Sequence, residues 1–417
     1  MKEFKKTINI EEALNILFKN IQIKDLEVEE VYLKDGLNRV LSDDIIAPMN
    51  IPSFNKSAVD GYAVIAEDTF GASQTNPCVL TIVGSVSMGK VPDLQIKRLE
   101  AVEVTTGSII PNGANAVVMI EYTKKIDEKK IEVYSSVAPN ENISRIGEDI
   151  KKGDIVLKKG TRLKPPHLGV LASLGFTKVS VFRKPKVAVL STGDELIEIG
   201  TPIEMGKTID VNRLIISLMV EELGGEVIDL GIAPDNIDAI KSKLKKGLMN
   251  ADIVVISGGT SVSKIDLVPE AINQIGKPGV IVHGISIRPA MPTGIAIVNG
   301  KPIFMLSGYP VAAIIGFNLF VKPLILRLLF TQDEPKPIVK CRVLRRIPHS
   351  TGLRTFVRVF VKKVGEEYVV EPLRITGSGL LTSMTKANGI LIIPENVEGY
   401  EVGDLVDVTL IGPVMEA

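Results

Sequence analysis

The sequence contains few of the residues that build disulfides and transition-metal sites. Its 417 residues include two cysteines, Cys78 and Cys341, and three histidines, all widely separated along the chain. These spacings exclude a disulfide framework and the usual zinc motifs, and they agree with a reducing cytosol. The N-terminal stretch MKEFKKTINIEEAL has no apolar core of the kind that signal peptides carry. We therefore expect a cytoplasmic protein without a histidine–cysteine metal centre.

The chain also has no net charge, because 49 Lys and Arg residues balance 49 Asp and Glu residues. Nucleic-acid-binding proteins normally carry a basic excess or a basic stripe, so neither a nucleic acid nor an anionic membrane is expected as a partner. A small anionic ligand stays compatible, since a pocket needs only local charge. The most apolar stretch, residues 311–330, is interrupted by polar and charged residues and is predicted to be a buried helix.

Changes along the chain in the spacing of apolar residues and in the frequency of turn residues predict separate α/β and β parts. Asn9 followed by Glu12 predicts a helix start, and residues 31–45 continue with moderate helical character. Residues 46–140 alternate short β-type runs with Gly, Pro and Asn turns, which predicts a β-rich insertion. Apolar strands alternate with amphipathic helices over 181–332, which is typical of a mostly parallel α/β sheet. Within it, Asp235 is predicted to cap a helix and Asn299-Gly300 to form a hairpin turn. Residues 333–417 return to β-type runs and predict a small barrel or sandwich.

Candidate ligand-binding loops follow three predicted strands of the α/β part. Neither a GxxxxGK[ST] loop nor a GxGxxG fingerprint is present after a strand. Ligands of open α/β sheets bind beyond the carboxyl ends of the strands, and the loops there are STGDEL (191–196), GIAPDN ending near Asp235, and SGGTSVSKID (257–266). Glycine-rich backbone can form an anion-binding nest, and Glu195, Asp235 and Asp266 are oxygen ligands of the type that magnesium prefers.

A second group of polar residues lies in and beside the β-rich insertion. Asp60 precedes Gly61 in PSFNKSAVDGYAV, Thr106 precedes Gly107 in EVTTGSII, and Asp149 lies in RIGEDIKKGD. Each motif alone also fits an ordinary turn or a solvated loop. Each loop of the α/β part likewise has a simpler interpretation, in which its glycine serves a strand-to-helix turn and its acid caps the next helix. Two such loops at successive strand ends nevertheless favour a shared site.

Taken together, eight stretches closely resemble one family, the molybdopterin molybdenumtransferases, which comprise the MoeA proteins and the E domain of gephyrin. They occur in the family's order and spacing over nearly the whole chain: PSFNKSAVDGYAV, TTGSIIPNGANAVVM, RIGEDI, STGDEL, DVNRL, LGGEVIDLGIAPD, SGGTSVSKID and SIRPAMP.

The resemblance implies a multidomain α/β-plus-β fold in an elongated subunit. A small mixed domain would combine residues 1–45 and 141–180, with the β-rich insertion at 46–140 between them. A molybdopterin-binding-type α/β domain would follow at 181–332, and a barrel-like β domain at 333–417. The resemblance further implies a homodimer whose cleft lies between the α/β domain of one subunit and the insertion of the other. The upstream molybdopterin adenylyltransferase is a candidate partner.

The implied reaction inserts molybdenum from molybdate into adenylylated molybdopterin and releases AMP, assisted by Mg²⁺. By the resemblance, the catalytic residues are Asp60, Thr106, Glu195 and Asp266, and the three acids among them are the expected metal ligands. Substrate binding is assigned to the strand-end loops, to two further acids, and to Arg288 and the 307–310 loop. The residues are Ser191, Thr192, Gly193, Asp149, Asp235, Ser257, Gly258, Gly259, Thr260, Ser261, Arg288, Ser307, Gly308 and Pro310.

The chain departs from the family pattern at two places. The family usually has Pro-Gly-Lys-Pro after the basic residue, whereas residues 289–292 read PAMP, and Met291 cannot hold an anion electrostatically. Residues 306–310 read LSGYP where the family has proline before the glycine, although Ser307 keeps a hydrogen-bonding group. The missing lysine leaves two alternatives open, a non-catalytic paralogue that binds pterin or cofactor and a paralogue that prefers tungstate. A gephyrin-like scaffold has no supporting linker, tail or partner motif.

Overall fold

The computed structural model describes residues 7–22, 24–258, 267–374, 377 and 379–416. The chain divides into two units, which are described separately. One consists of Met1–Glu29, Asn38–Val40 and Val181–Ala417, and the other of Glu30–Leu37 and Leu41–Ser180. The predicted boundaries of the four domains stay a prediction.

A six-stranded sheet forms the core of the unit that contains the predicted insertion. Its strands are β1 (Gly61–Val64), β2 (Cys78–Val86), β3 (Glu100–Val104), β4 (Ala116–Met119), β5 (Thr123–Asp127) and β6 (Lys130–Val133). They lie in the order β4-β1-β3-β2-β6-β5, and all neighbours are antiparallel except β2 and β3. Apolar side chains pack on both faces. The predicted β-rich character is therefore confirmed.

Short elements complete this unit. Two-stranded pairs join Ile45–Ile46 to Ile155–Leu157 and Lys56–Ser57 to Ile143–Ser144, and helix α2 covers Pro165–Ser173. The prediction of helical character over 31–45 is wrong. Strand Val28–Tyr32 is followed by a single 3₁₀ turn at Leu33–Asp35, because Gly36 and Asn38, whose φ is +63°, interrupt helical backbone there.

The other unit is organised by a six-stranded α/β sheet. Its strands are β7 (Lys186–Thr192), β8 (Glu226–Ala233), β9 (Ile253–Ser257), β10 (Pro278–His283), β11 (Gly294–Val298) and β12 (Lys301–Leu306), in the order β8-β7-β9-β12-β11-β10. Strands β8, β7, β9 and β12 run parallel to one another. The β11–β12 hairpin turns at Asn299 and Gly300, both with positive φ. This confirms the predicted mostly parallel sheet and its Asn-Gly turn.

Helices cover both faces of this sheet, each face closing over its own apolar cluster. They are α1 (Ile10–Asn20), α3 (Val211–Glu222), α4 (Ile237–Asn250) and α5 (Leu267–Ile275). Asn9 caps α1 as predicted, since its Oδ1 accepts the Glu12 amide at 2.7 Å. The sequence pattern placed Asp235 at the cap of α4, but Asn236 holds that position, because its side chain accepts the amides of residues 238 and 239.

The long apolar segment forms a buried helix, as predicted. It consists of α6 (Pro310–Gly316), a π-helical turn at Phe317–Val321 and α7 (Lys322–Leu328). By length and composition alone Pro310–Leu328 could cross a membrane, but most of it is buried inside the protein. Its side chains pack in the same apolar cluster as α1 and one face of the sheet.

The C-terminal region is a closed five-stranded barrel. Its strands are β13 (Ile338–Val343), β14 (Arg354–Val364), β15 (Glu367–Arg374), β16 (Gly389–Ile393) and β17 (Leu405–Leu410), paired in the circular order β14-β15-β13-β17-β16-β14. The predicted barrel is therefore confirmed. The remaining short elements are Lys178–Phe182, Leu196–Ile197, Thr208–Ile209, Ile287–Arg288, Ile347–Pro348, Thr382–Lys386, Gly399–Tyr400 and Met415–Glu416.

A half-buried ion pair fixes the edge at which β7 and β9 begin. Arg183 donates both terminal nitrogens to Asp252 at 2.7 and 2.8 Å, and the Lys186 amide donates to the same carboxylate at 2.7 Å. Burial alone would raise the pKa of Asp252, but the hydrogen bonds from Arg183 and Lys186 outweigh it and lower the pKa. The ionised carboxylate is thus a structural group.

We expect Asp252→Asn to lower the free energy of unfolding by about 1–3 kcal/mol at neutral pH, because it leaves the half-buried Arg183 guanidinium with only its longer, 3.6 Å pair to Glu27. Because folding lowers the pKa of Asp252, its carboxylate stabilises the folded protein at pH values above the pKa of about 4 that it has in the unfolded chain. The difference in the free energy of unfolding between variant and wild type should therefore shrink as the pH falls below about 4. Urea unfolding at several pH values measures both effects. Asp238→Asn, which removes an exposed pair with Lys241, is the control, and an equal effect there would contradict the account.

Candidate functional site

The carboxyl ends of three parallel strands are held together by backbone contacts. The amide of Gly258, after β9, donates to the Leu306 carbonyl at the end of β12 at 3.2 Å. Gly258 has φ +96°, and a Cβ there would overlap the carbonyl oxygen of Thr192 at the end of β7. Glycine is therefore required at 258, because only a residue without a side chain allows this close approach.

The side chain of Asn212, in the first turn of α3, joins the same strand ends. Its Nδ2 donates to Ser257 Oγ at 2.8 Å and to the carbonyl oxygens of Gly308 at 2.9 Å and Ser307 at 3.4 Å. Carbonyl oxygens only accept hydrogen bonds, so these contacts fix which end of the amide faces the loop. Its Oδ1 is buried without a partner among the described residues.

A cavity of about 620 Å³ opens at this edge of the sheet. Strand-end hydroxyls and backbone form one part of its wall, and apolar side chains form another. The residues that line it are Ser191, Thr192, Glu195, Leu196, Ile203, Lys207, Thr208, Ile209, Asp210, Val211, Asn212, Ser257, Gly258, Gly308, Tyr309, Pro310, Gly379 and Leu381. Six of the predicted substrate-binding residues thus line this cavity, namely Ser191, Thr192, Ser257, Gly258, Gly308 and Pro310.

Three charged side chains line this cavity in the described part of the chain, Glu195, Lys207 and Asp210. Asp210 is buried and already fully engaged, since it accepts Ser191 Oγ at 2.9 Å and Arg213 Nε at 3.0 Å. Arg213 also binds Asp229, whose hydrogen bonds from Arg213 and Gly231 lower its pKa despite burial. Glu195 and Lys207 are the charges that remain for a ligand.

Asp235 lies at the end of β8, next to the same edge. Because Asn236 caps α4, the Asp235 carboxylate is released from that role and accepts Thr192 Oγ1 at 3.1 Å. Its amide donates to Asp194 Oδ1 at 3.0 Å. The structure thus brings Asp235 to the STGDEL loop. Four other predicted residues, Gly259, Thr260, Ser261 and Asp266, lie outside the described residues.

A second cavity, of about 500 Å³, lies between the 288–292 loop and the barrel. Arg288, Met291, Ser307, Thr355 and Arg358 are among the residues that line it. Ala290 has φ +83°, the left-handed conformation that favours the family's usual glycine. Met291 contributes no charge, as the sequence indicated.

Arg358 is the functional candidate that sequence reasoning missed. It is 3% exposed, its Nε contacts Ser383 Oγ at 3.3 Å, and its NH2 group has no partner in the described part of the chain. Burial lowers the pKa of this guanidinium. Thr355 Oγ1 in the same wall is also buried without a partner there. A cation between buried Val357 and Val359 in TFVRVFV was the available signal, because such a residue is buried at a cost unless it is paired.

The 306–310 loop lies between the two cavities. Tyr309 lines both of them, and Ser307 lines the second while its carbonyl accepts the Asn212 amide beside the first. Ser307 Oγ accepts the Tyr309 amide at 3.2 Å, which stabilises the turn. Ser307, Gly308 and Pro310 are therefore at the place where the sequence expects a binding loop.

The predicted residues of the other unit form a separate local arrangement. Asp60 Oδ1 accepts the Thr106 amide at 2.6 Å and the Thr106 hydroxyl at 2.8 Å. The hydrogen bond from the Thr106 amide has the largest effect, followed by the one from the Thr106 hydroxyl, and together they hold the pKa of Asp60 below its ordinary value. Asp149 lies on a neighbouring loop, where its amide donates to the Ile51 carbonyl at 3.1 Å. Asp60 and Thr106 thus act as a pair, with the carboxylate ionised.

Within the described ranges, no group of three or more His, Cys, Asp and Glu side chains is placed to hold a metal ion. A metal bound there would need other oxygen atoms beside one or two carboxylates. Mg²⁺ is commonly held in this way, through few carboxylates, substrate phosphates and water.

Comparison with known families gives matches along most of the chain. The "MoeA N-terminal region (domain I and II)" matches residues 8–175, the "probable molybdopterin binding domain" residues 188–327, and the "MoeA C-terminal region (domain IV)" residues 340–411. A putative molybdopterin biosynthesis protein of Methanocaldococcus jannaschii is 42% identical over 99% of this chain and 100% of its own length.

A molybdopterin molybdenumtransferase of Bacillus subtilis is 34% identical over 93% of this chain and 91% of its own length. A crystal structure of the molybdopterin biosynthesis MoeA protein of Pyrococcus horikoshii OT3 covers 97% of this chain and 100% of that chain, with a TM-score of 0.84 and 38% identity. These matches agree with the α/β sheet, the β-rich insertion and the barrel described above, and the chain belongs to the MoeA family.

Proposed function

We propose that this chain is a molybdopterin molybdenumtransferase, which inserts molybdenum from molybdate into adenylylated molybdopterin and releases AMP. The observation that carries the proposal is the pair of neighbouring cavities joined by the 306–310 loop. One is lined by the glycine and hydroxyl residues of the strand ends and by the Lys207 ammonium, which suits phosphates. The other has a buried arginine without a counter-ion among the described residues, which suits an oxyanion.

In this proposal the substrate phosphates lie against the ends of β7 and β9. Ser191, Thr192 and Gly193, together with Ser257 and Gly258, would form the surface against which the phosphates lie. Their side-chain hydroxyls and the amides of Gly193 and Gly258 donate within the fold and hold that surface in place. Gly259, Thr260 and Ser261 stay proposed substrate-binding residues. Cleavage of the link to AMP leaves additional negative charge on phosphoryl oxygens, and preorganised donors stabilise that charge without rearranging.

Mg²⁺ fits the proposed site as a metal held between the chain and its substrate. Glu195 lines the first cavity and forms no ion pair in the described residues, so its carboxylate is available. Asp266 and Asp60 are the other proposed ligands. When bound, the ion would offset charge on the phosphoryl oxygens. Asp235 and Asp149 are proposed to orient substrate rather than to hold the metal.

The oxyanion would bind in the second cavity. Arg288 and Arg358 supply positive charge, and Ser307 and Thr355 supply hydroxyl groups. An anion there would pair with the buried Arg358 guanidinium, which offsets the unfavourable burial of an unpaired cation. This arrangement gives the chain a way to hold molybdate although Met291 replaces the family's lysine.

We further propose a cytoplasmic homodimer in which Asp60 and Thr106 of one subunit face the α/β cavity of the partner subunit. The support is chemical: Glu195 is the unengaged carboxylate that lines the first cavity in the described residues, and the Thr106 hydrogen bonds keep Asp60 ionised, as a further Mg²⁺ ligand would have to be. The upstream molybdopterin adenylyltransferase is the proposed source of the substrate.

The second candidate function is a tungstate-preferring or non-catalytic paralogue, and Met291 favours it. A site without the lysine would select oxyanions through Arg358 and Arg288 alone. This alternative predicts either faster turnover with tungstate or tight pterin binding without AMP release.

The direct test is AMP release by the purified chain. We expect AMP from adenylylated molybdopterin when Mg²⁺ and molybdate are present, measured by chromatography against a family member of known activity. Tungstate is run in parallel. Absence of AMP under conditions in which the control reacts would exclude the proposed activity, and release with tungstate alone would favour the second candidate.

Thr106→Val should move the acidic limb of the pH–rate profile to higher pH. The substitution removes the hydroxyl bond to Asp60 but keeps the amide bond, so the pKa of Asp60 rises part of the way to its ordinary value. A carboxylate that works ionised loses activity as the pH falls through its pKa. Thr105→Val, at the neighbouring exposed threonine, is the control, and an unshifted limb in Thr106→Val would remove Asp60 from the rate-limiting chemistry.

Arg358→Met should raise the KM for molybdate at least about tenfold, because loss of a charge-assisted hydrogen bond costs about 1.5–3 kcal/mol. The melting temperature should stay the same or rise, since Met replaces a buried cation that has no counter-ion among the described residues. Steady-state kinetics and calorimetry measure the two effects. Arg346→Met, at an exposed barrel arginine paired with Glu401, is the control. An unchanged KM, or loss of stability with loss of activity, would contradict the proposed oxyanion site.

A further inference from the structure

Lys207 stands at the rim of the first cavity in a fixed position. It precedes the short strand Thr208–Ile209, which pairs with Leu196–Ile197, and the Thr208 amide donates to the Glu195 carbonyl at 2.8 Å. The Lys207 ammonium itself donates to the Asp194 carbonyl at 2.8 Å. The lysine is therefore anchored, through backbone and side chain, to the same turn that carries Gly193 and Glu195.

The ammonium is held by a carbonyl oxygen and not by a carboxylate. An ammonium group has three donors, and the bond to Asp194 uses one of them. In the described part of the chain Lys207 forms no ion pair, although exposed Glu195 lines the same cavity. Its charge and two donors are thus available to a ligand.

Lys207 is also the only cationic side chain among the described residues that line this cavity. Arg213 lies close by in sequence, but it is engaged by Asp210, Asp229 and Glu198. Arg288 and Arg358 line the other cavity. An anionic ligand in the first cavity therefore has one positive side chain available from this part of the chain.

We propose that Lys207 binds a phosphate of the ligand in the first cavity and makes this cavity selective for phosphorylated over unphosphorylated ligands. The inference rests on the proposed function, which supplies a ligand with a pyrophosphate link. Because the Asp194 bond restrains the long side chain beforehand, less rotamer freedom is lost when the phosphate binds. The hydroxyls of Ser191 and Thr192 line the same cavity, but they donate to the carboxylates of Asp210 and Asp235 and so offer a phosphate no donor of their own.

The chemistry separates Lys207 from the proposed metal ligands. Glu195 would act through Mg²⁺, whereas Lys207 would contact phosphate oxygens directly as a point charge. Loss of Lys207 should therefore weaken binding of the phosphorylated substrate and leave the rate at saturation much less affected. This split between KM and kcat distinguishes a binding cation from a group that stabilises only the transition state.

The experiment compares Lys207→Met, Lys207→Arg and a control, Lys246→Met, which removes an exposed lysine of α4. Steady-state AMP release gives KM and kcat for adenylylated molybdopterin at low and high ionic strength. Independently, calorimetry and ligand-observed NMR give the affinities of AMP and adenosine for each protein. The four affinities of wild type and Lys207→Met for AMP and adenosine form a cycle that isolates the lysine–phosphate interaction.

We expect Lys207→Met to raise the KM and to weaken AMP binding by about five- to tenfold at low salt, with adenosine affinity unchanged. Lys207→Arg should recover most of the loss, Lys246→Met should match wild type, and high salt should reduce the difference, because exposed charges are screened. This result supports the inference.

Equal losses for AMP and adenosine, equal defects in the methionine and arginine variants, or a KM within about twofold of wild type would overturn it. If wild type releases AMP and Lys207→Met behaves like wild type, the inference fails while the proposed function stands. If wild type releases no AMP, the proposed function fails, and the AMP–adenosine cycle alone decides whether Lys207 selects phosphate.

Discussion

The amide of Asn212 is the contact on which the site depends most. It binds the end of β9 through Ser257 and the loop after β12 through Gly308, and it projects from the helix that Asp210 caps. Three elements distant in sequence are thereby held at one point, and Gly258 allows them to approach closely. Because the amide is buried, its bonds are not exchanged with water, and loss of any partner would leave polar groups unsatisfied.

The two cavities lie on either side of the anchored 306–310 loop, and each has its own positively charged side chains. The first has one available cation, Lys207, whereas the strand-end hydroxyls of Ser191 and Thr192 donate to carboxylates within the fold. The second has Arg288 and the buried Arg358. A buried guanidinium is unfavourable when unpaired, so the second cavity is least stable empty and gains most from a small, doubly charged anion. In the proposed function, this positive charge is what would attract an oxyanion although the family's lysine is missing.

Much of the fold was predictable, because periodicity and turn residues are local signals. Alternating apolar strands and amphipathic helices, the Asn9 cap and the Asn299-Gly300 hairpin turn are all present. Errors arose where neighbours compete for one role. Asn236 rather than Asp235 caps α4, and a 3₁₀ turn replaces the helical character expected over 31–45. The role of Arg358 could not be deduced locally, because only closure of the barrel buries its charge beside the 288–292 loop.

The second cavity, and not the strand-end cavity, is the proposed binding site of the oxyanion. Anomalous diffraction at the tungsten edge, from crystals soaked in tungstate and AMP, locates the oxyanion, because tungsten identifies it without ambiguity. We expect a tungsten peak within hydrogen-bonding distance of Arg358 and Arg288 in wild type, and no such peak in Arg358→Met crystals. A tungsten peak at the ends of β7 and β9 alone, or an unchanged peak in Arg358→Met, would contradict it.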